Sequence, residues 1–224
     1  LVLQGLFGKI HRVTSTRALQ DDDTLAKLMI RRIVLQYDDT IRKNFGKQKY
    51  QDEIKHIITY QRRNHFIRKL TLDLKGNTLV LYNYVEKHGK PLYENIKMHA
   101  DEKRKIFFVS GNTATSDREA IRMIVEKQKN SIIVASLGTF STGINIRNLH
   151  NIVFASPSKS QIRVLQSIGR GLRKTDNGKN TTLYDIVDDI SWKSRKNYGI
   201  LHADERLRIY GREKFTHKTY KVQL

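Results

Sequence analysis

Two arginines in segment 166–174, of sequence QSIGRGLRK, are the residues whose type and spacing are best suited to chemistry. Arg170 and Arg173 lie three positions apart, so on a helical turn both guanidinium groups point to the same side. Such groups bind phosphate oxygens through paired hydrogen bonds and can hold the negative charge that develops during phosphoryl transfer. A solvated basic helix end is the alternative for an isolated pair, but Gly169, Gln166 and the upstream sequence favour a polyphosphate site.

The elements around this segment alternate short β-rich runs with helical patterns, which is typical of a parallel sheet covered by helices on both faces. In such a sheet the loops after the strands meet at one edge, where ligands bind. The arginine pair and the glycine-bearing loop 137–145 are therefore expected to meet at that edge. Strands are predicted at 33–37, 78–82, 106–109, 131–136, 151–155 and 182–187, and helices at 52–74, 85–98, 116–129 and 160–174.

The third of these helices is expected to begin with a capping box, in which Ser116 and Glu119 satisfy each other's free backbone groups. Beyond Asp189 the chain becomes basic. Residues 191–224 hold nine Lys and Arg against three acids, and we interpret them as a mainly helical extension.

Composition narrows the class of protein. The 224 residues suffice for one α/β domain with extensions, and a net charge of +20 indicates a polyanionic partner. The chain has no cysteine, which excludes disulfides and thiolate zinc sites, and its histidines lack metal-ligand spacing, so no structural metal is expected. With no long apolar run and no signal-peptide pattern, we expect a soluble, intracellular protein without a membrane partner.

Four sequence elements in a fixed order resemble the second RecA-like lobe of superfamily 2 helicases. The segments are 79–83 (LVLYN), similar to motif IV; 109–111 (VSG) followed by Arg118; 135–145, similar to motif V; and 166–174, similar to motif VI. The branch with the greatest similarity includes bacteriophage helicases that unwind DNA and RNA–DNA hybrids and migrate branched junctions. This resemblance implies a RecA-like fold in which residues 45–190 form the lobe, 1–44 the end of the first lobe and a linker, and 191–224 an extension.

The resemblance also implies roles for individual residues at the nucleotide. Arg170 and Arg173 would reach across the cleft between the lobes to the γ-phosphate of ATP, with Gln166 beside them as a further catalytic residue. The chain departs from the usual pattern at Asn145, where an acid is common, and at Gln166, where histidine is frequent. The residues assigned to cofactor binding are Gly143, Asn145 and Gly169.

A second set of residues would contact the phosphates of a nucleic-acid strand without reading its sequence. For each hydroxyl in this set, a loop hydrogen bond or a helix cap is an equally good interpretation. The residues of the set are Ser110, Gly111, Ser136, Thr139 and Thr142.

Carboxylates clustered at the last predicted strand could in principle hold Mg²⁺. They are Asp185, Asp188 and Asp189. We favour an ordinary strand end, because the resemblance places the catalytic metal on the other lobe.

The chain contains no G-x-x-x-x-G-K-[ST] phosphate loop. We therefore expect the C-terminal half of a monomeric enzyme, inactive as an ATPase alone, with ATP and Mg²⁺ held mainly by an N-terminal RecA-like lobe of the same polypeptide. The expected partner is DNA or an RNA–DNA hybrid, in the host cytoplasm if the protein comes from a phage. The alternative is a basic nucleic-acid-binding module on a RecA-like fold without catalysis.

Overall fold

The computed structural model describes residues 28–45, 48–141, 146, 148–157 and 181–224. The strands are β1 (Leu28–Gln36), β2 (Thr78–Tyr82), β3 (Ile106–Val109), β4 (Ile132–Ser136), β5 (Asn151–Phe154), β6 (Thr181–Asp189) and β7 (Thr216–Gln223). The helices are α1 (Asp39–Phe45), α2 (Tyr50–Thr59), α3 (Gln61–Asp73), α4 (Lys90–His99), α5 (Thr115–Lys127), α6 (Leu137–Ser141) and α7 (Tyr198–Arg212). A π-helical turn, Val85–Gly89, leads into α4.

These strands form one seven-stranded sheet in the order β3-β4-β2-β5-β6-β1-β7. Every neighbouring pair is parallel. The strand C-termini therefore share one edge, which we call the C-terminal edge. This confirms the predicted parallel sheet flanked by helices.

Side chains of β2 alternate between two cores. Leu79 and Leu81 pack on one face, together with apolar residues of α5, α6 and α7. Val80 and Tyr82 pack on the other face, against α2, α3 and α4. All five residues of β2 are buried, as expected for a central parallel strand covered on both faces.

The predicted strands at 78–82 and 106–109 have the bounds that the structure gives to β2 and β3. Those predicted at 131–136, 151–155 and 182–187 correspond to β4, β5 and β6 with small shifts at their ends. The predicted helix 160–174 lies outside the described residues.

The single helix predicted at 52–74 is wrong, because the chain forms two helices there. Tyr60 has φ −70° and ψ 114°, an extended conformation that ends α2 and begins α3. Its ring lies 5.2 Å from that of Tyr37 and 5.4 Å from that of His56, centroid to centroid. These rings pack together where the helix is interrupted, and the sequence has no glycine or proline there that would have predicted the interruption.

The predicted capping box is also wrong. Helix α5 begins at Thr115 with Ala114 in the N-cap position, and no side chain caps it. Ser116 consequently lies inside the first turn. The backbone N–H of Arg118 already donates to the Ala114 carbonyl, which starts the helix before Ser116 could cap it.

The basic C-terminal region contains α7, as predicted, and also a strand that was not predicted. Strand β7 extends the sheet by pairing in parallel with β1 from Met29 to Gln36. The sheet thus includes β1, which precedes residue 45, and β7, which follows residue 190. The predicted division of the chain into 1–44, 45–190 and 191–224 stays a prediction. Within the described ranges, no helix is both long and apolar enough to cross a membrane.

Candidate functional site

The C-terminal edge brings the ends of β3, β4 and β2 side by side. Val109 pairs with Ala135, and Tyr82 pairs with Ser136. Ser110 is thus placed next to Ser136 at the same level of the edge. Two of the residues predicted to contact nucleic acid are therefore neighbours, although they are 26 positions apart in the chain.

Ser136 and Thr139 contact each other at the start of α6. Their hydroxyl oxygens are 2.6 Å apart, and the backbone N–H of Thr139 donates to Ser136 Oγ at 3.2 Å. Both side chains are largely buried. These hydroxyls close the turn from β4 into α6, which is the helix-cap interpretation of the sequence, and their contact with a nucleic-acid strand stays a prediction.

The loop after β3 is held by Arg118. Its Nε donates to the Thr113 carbonyl at 2.8 Å and its Nη2 to the Gly111 carbonyl at 3.2 Å. Within the loop, the N–H of Ser110 donates to Thr113 Oγ1 at 3.0 Å, and the N–H of Thr113 donates back to the Ser110 carbonyl. The sequence placed Arg118 in a motif without a role, and the structure shows it orienting the loop that carries Ser110 and Gly111.

A buried histidine lies beneath the end of β2. His88 is 1% exposed, and its Nδ1 is 3.0 Å from Ser156 Oγ, which also accepts the N–H of Asn83 at 3.0 Å. Burial, and next the Arg63 charge, lower the pKa of His88 to about 3. The imidazole is therefore neutral at physiological pH and serves to connect the ends of β2 and β5.

Gly89, which follows His88, has no room for a side chain. A Cβ atom there would lie 2.5 Å from a carbon of the Tyr82 ring, and Tyr82 is completely buried. The glycine lets the π-helical turn pass directly over this ring.

Two of the three carboxylates of β6 are engaged in ion pairs on opposite faces of the sheet, and the third, Asp189, accepts the backbone N–H of Ser191 at 3.1 Å. Asp185 accepts hydrogen bonds from Arg206 at 2.8 Å and from the Tyr210 hydroxyl at 2.8 Å. Asp188 accepts from Arg63 Nε at 2.7 Å and from the Tyr37 hydroxyl at 2.9 Å. These contacts support the ordinary-strand interpretation rather than Mg²⁺ binding by a carboxylate cluster.

Burial beside a carboxylate also changes the chemistry of the two tyrosines in these networks. Desolvation, and next the charge of Asp188, raise the pKa of Tyr37 well above its ordinary value. Desolvation and the Asp185 charge do the same to the pKa of Tyr210. Both phenols are therefore fixed as hydrogen-bond donors.

The residues predicted to contact the nucleotide lie outside the described residues, and so does Thr142. In the sequence, the arginine segment lies between β5, which ends at the C-terminal edge, and β6. The structure therefore brings together Ser110, Gly111, Ser136 and Thr139. The predicted residues it does not describe are Gln166, Gly169, Arg170, Arg173, Gly143, Asn145 and Thr142.

A parallel sheet with helices on both faces, and with polar loops gathered at its C-terminal edge, is the architecture that a RecA-like lobe requires. The model of the helicase conserved C-terminal domain matches residues 61–175, slightly more than half of the chain. The chain therefore belongs to this family and is the C-terminal lobe of a superfamily 2 helicase, which confirms the resemblance seen in the sequence.

Known proteins resemble this chain along nearly its whole length. It is 36% identical over 233 residues to the ATP-dependent DNA helicase uvsW of Enterobacteria phage T4, an alignment that covers 98% of this chain and 46% of the relative. The crystal structure of T4 UvsW matches with a TM-score of 0.78 and 34% identity, over 100% of this chain and 46% of that one. The chain thus spans less than half the length of this relative.

The C-terminal domain of the DEAD-box protein Dbp5 shows the same fold at a greater distance. It matches with a TM-score of 0.54 and 13% identity, over 88% of this chain and 92% of that domain. At this identity the match shows the fold alone.

Proposed function

We propose that this chain is the C-terminal motor lobe of an ATP-dependent helicase that unwinds or branch-migrates DNA. The observation that carries the proposal is the similarity to T4 UvsW, which extends through the whole chain at 34% identity with a TM-score of 0.78. The curated relative is named an ATP-dependent DNA helicase. We infer that the substrates include RNA–DNA hybrids and branched intermediates of recombination and repair.

The nucleic-acid track of this lobe is proposed to run over the C-terminal edge. Ser110, Gly111, Ser136 and Thr139 are adjacent there, and Thr142 follows Thr139 in the sequence. Backbone N–H groups and hydroxyls of these loops suit phosphate oxygens, which carry no sequence information. The net charge of +20 supports a polyanionic partner of this kind.

At the cleft between lobes, Arg170 and Arg173 are proposed to hold phosphate oxygens of ATP with their guanidinium groups, as arginine fingers. Gln166 would position this end of the segment by hydrogen bonding. Gly143 and Gly169 would let the backbone approach the nucleotide closely, and Asn145 would donate to the ribose. Binding and hydrolysis of ATP would supply the free energy for moving one lobe against the other.

Binding of Mg²⁺ is assigned to an N-terminal RecA-like lobe of the same polypeptide. The described part of this chain has no group of three or more histidine, aspartate or glutamate side chains placed to hold a metal ion. Its buried carboxylates at Asp185 and Asp188 are already paired with arginines. We further propose a monomer that acts in the cytoplasm of a phage host.

The test is DNA-stimulated ATPase activity of the chain extended upstream through a complete first lobe, with this chain alone as comparison. We expect activity in the extended form only. Replacing Arg173 with alanine should reduce kcat by roughly 10³-fold or more while DNA affinity is kept. The matched control is Arg208→Ala, an exposed arginine of α7, which should change neither quantity.

Two results would decide against the motor. If Arg173→Ala retained ATPase activity, the finger assignment would be wrong. If the extended form bound DNA without hydrolysing ATP, a non-catalytic nucleic-acid-binding module would be the better description.

A further inference from the structure

A groove with a cationic rim lies on the face of the sheet covered by α2, α3 and α4, beside the C-terminal edge. It has a volume of about 910 Å³ and lies between the N-terminal halves of α3 and α4, next to the end of α2 and the π-helical turn. Its floor is apolar, with Ile58, Phe66 and Leu92 among the lining residues. Nothing in the proposed motor function assigns a role to this surface.

The rim carries positive charge that the groove itself does not balance. Arg62, Lys69 and Lys87 line it, and no acidic side chain does. Arg62 pairs with Asp38 at 3.2 Å outside the lining. Lys69 and Lys87 are exposed, and within the described part of the chain neither forms an ion pair with a carboxylate. Two free ammonium groups therefore face one concave surface.

The two helices that form the walls are fixed to each other. Arg68 Nη1 on α3 donates to Asn95 Oδ1 on α4 at 3.0 Å and lies 2.8 Å from Nε2 of His99, also on α4. Leu92 of α4 and Ile67 of α3 are buried in one core beneath the groove. The groove is thus largely formed before anything binds, which reduces the entropic cost of binding.

We propose that this groove binds a single-stranded segment of nucleic acid outside the motor track. Ammonium groups along a rim suit successive phosphates, and an aromatic side chain in an apolar floor suits the faces of unpaired bases. Lys87 lies four residues beyond Asn83, at the end of β2 on the C-terminal edge. A strand that leaves the proposed track at this edge can therefore enter the groove without crossing the body of the lobe.

This inference rests on the proposed nucleic-acid partner but not on ATP turnover, so binding measurements test it separately. Each phosphate contact to a single strand contributes about 0.7 to the slope of log K against log salt concentration. Losing the two contacts of Lys69 and Lys87 should lower the slope by about 1.4. Taking about 1 M as the salt concentration where the electrostatic contribution vanishes, affinity should fall about 25-fold at about 0.1 M salt.

The experiment measures binding of a fluorescein-labelled oligothymidylate to the full chain by anisotropy, across a salt series. The groove variant is Lys69→Gln with Lys87→Gln. The matched control is Lys103→Gln with Lys129→Gln, two exposed lysines beyond the opposite ends of the strands, which removes the same charge. We expect the loss of slope and affinity in the groove variant alone, and photo-crosslinking of an iodouracil oligonucleotide to the peptide that contains Phe66.

Equal losses in both variants would mean that only the net charge matters, and this would overturn the inference. Wild-type affinity in the groove variant, or no binding of the oligonucleotide by the wild type, would overturn it as well. If the groove variant instead lost binding of a polyglutamate peptide while keeping the oligonucleotide, the groove would be a site for an acidic protein segment. None of these results changes the ATPase test of Arg173.

Discussion

Replacing Arg63 with methionine is expected to destabilise the protein severely, because its partner would remain as a buried charge. Both side chains of the Arg63–Asp188 pair are 0% exposed. The contact is bidentate, with Nε 2.7 Å from Oδ1 and Nη2 3.0 Å from Oδ2, and Nη2 also donates to the Ala155 carbonyl at 2.7 Å. After the substitution Asp188 would keep the Tyr37 hydroxyl, at 2.9 Å, as its side-chain donor among these groups.

The expected loss is about 3–5 kcal/mol of unfolding free energy, the range for breaking one side of a buried ion pair. This is a large share of the roughly 5–15 kcal/mol that stabilises a typical domain. The adjacent Arg62 provides a matched control, since its pair with Asp38 is exposed, with side chains 64% and 50% accessible. Arg62→Met should cost only about 0–1 kcal/mol.

Urea denaturation followed by circular dichroism measures both variants. With a slope of about 2 kcal/mol per M, a loss of about 4 kcal/mol lowers the midpoint by roughly 2 M. The triple change Arg63→Met, Asp188→Leu and Tyr37→Phe removes the charges and the hydroxyl together, and it should recover most of the loss. The reasoning is refuted if Arg63→Met costs less than about 1 kcal/mol, or if the triple variant is no more stable than the single one.

Two further predictions concern the π-helical turn. Because His88 has a folded pKa of about 3, the unfolded chain binds more protons below pH about 6.5, so this residue contributes less stability as the pH falls. Between pH about 7 and about 5, His88 should account for about 2 kcal/mol of the decrease in unfolding free energy. Urea titrations at both pH values should show that the unfolding free energy of His88→Gln changes less with pH than that of the wild type. An equal change in both proteins would contradict the assignment. Gly89→Ala should cost about 1–3 kcal/mol in thermal or urea unfolding, because its Cβ would overlap the buried Tyr82 ring. Gly211→Ala, on α7 with open space around it, should be neutral or stabilising, and equal effects at both glycines would argue against the overlap.

The sequence predicted the central sheet well because its strands depend on local composition. Thr78–Tyr82 and Ile106–Val109 are short apolar runs bounded by polar residues, and such runs are typical of parallel strands that helices cover on both faces. Strand β7 is different. Seven of its eight residues are exposed, so it shows no apolar alternation, and it is ordered by pairing with β1 across nearly the whole chain. Such a strand is specified by its partner rather than by its own residues.

The adjacency of Ser110 and Ser136 could be predicted from the sequence, but the hydrogen bonds around them could not. Parallel topology alone places Ser110 beside Ser136 at the edge. Whether the Ser136 hydroxyl hydrogen-bonds to Thr139 depends on local geometry that residue spacing does not determine. The role of Arg118 depends on which loop carbonyls face its guanidinium group. The burial of Arg63 could not be predicted from the sequence either, because it depends on a carboxylate 125 positions away.

The interior ion pairs also bear on how the surface charge arises. The pairs Arg63–Asp188 and Arg206–Asp185 each bury one positive and one negative charge, so together they leave the net charge of +20 unchanged. These two neutral pairs attach α3 and α7 to opposite faces of β6, the strand that follows the arginine segment. The charge displayed to solvent is consequently basic, and at the groove between α3 and α4 no acid in the lining offsets it. The same element, α3, thus supplies Arg63, which attaches the helix to the sheet, and Lys69, which lines the proposed groove.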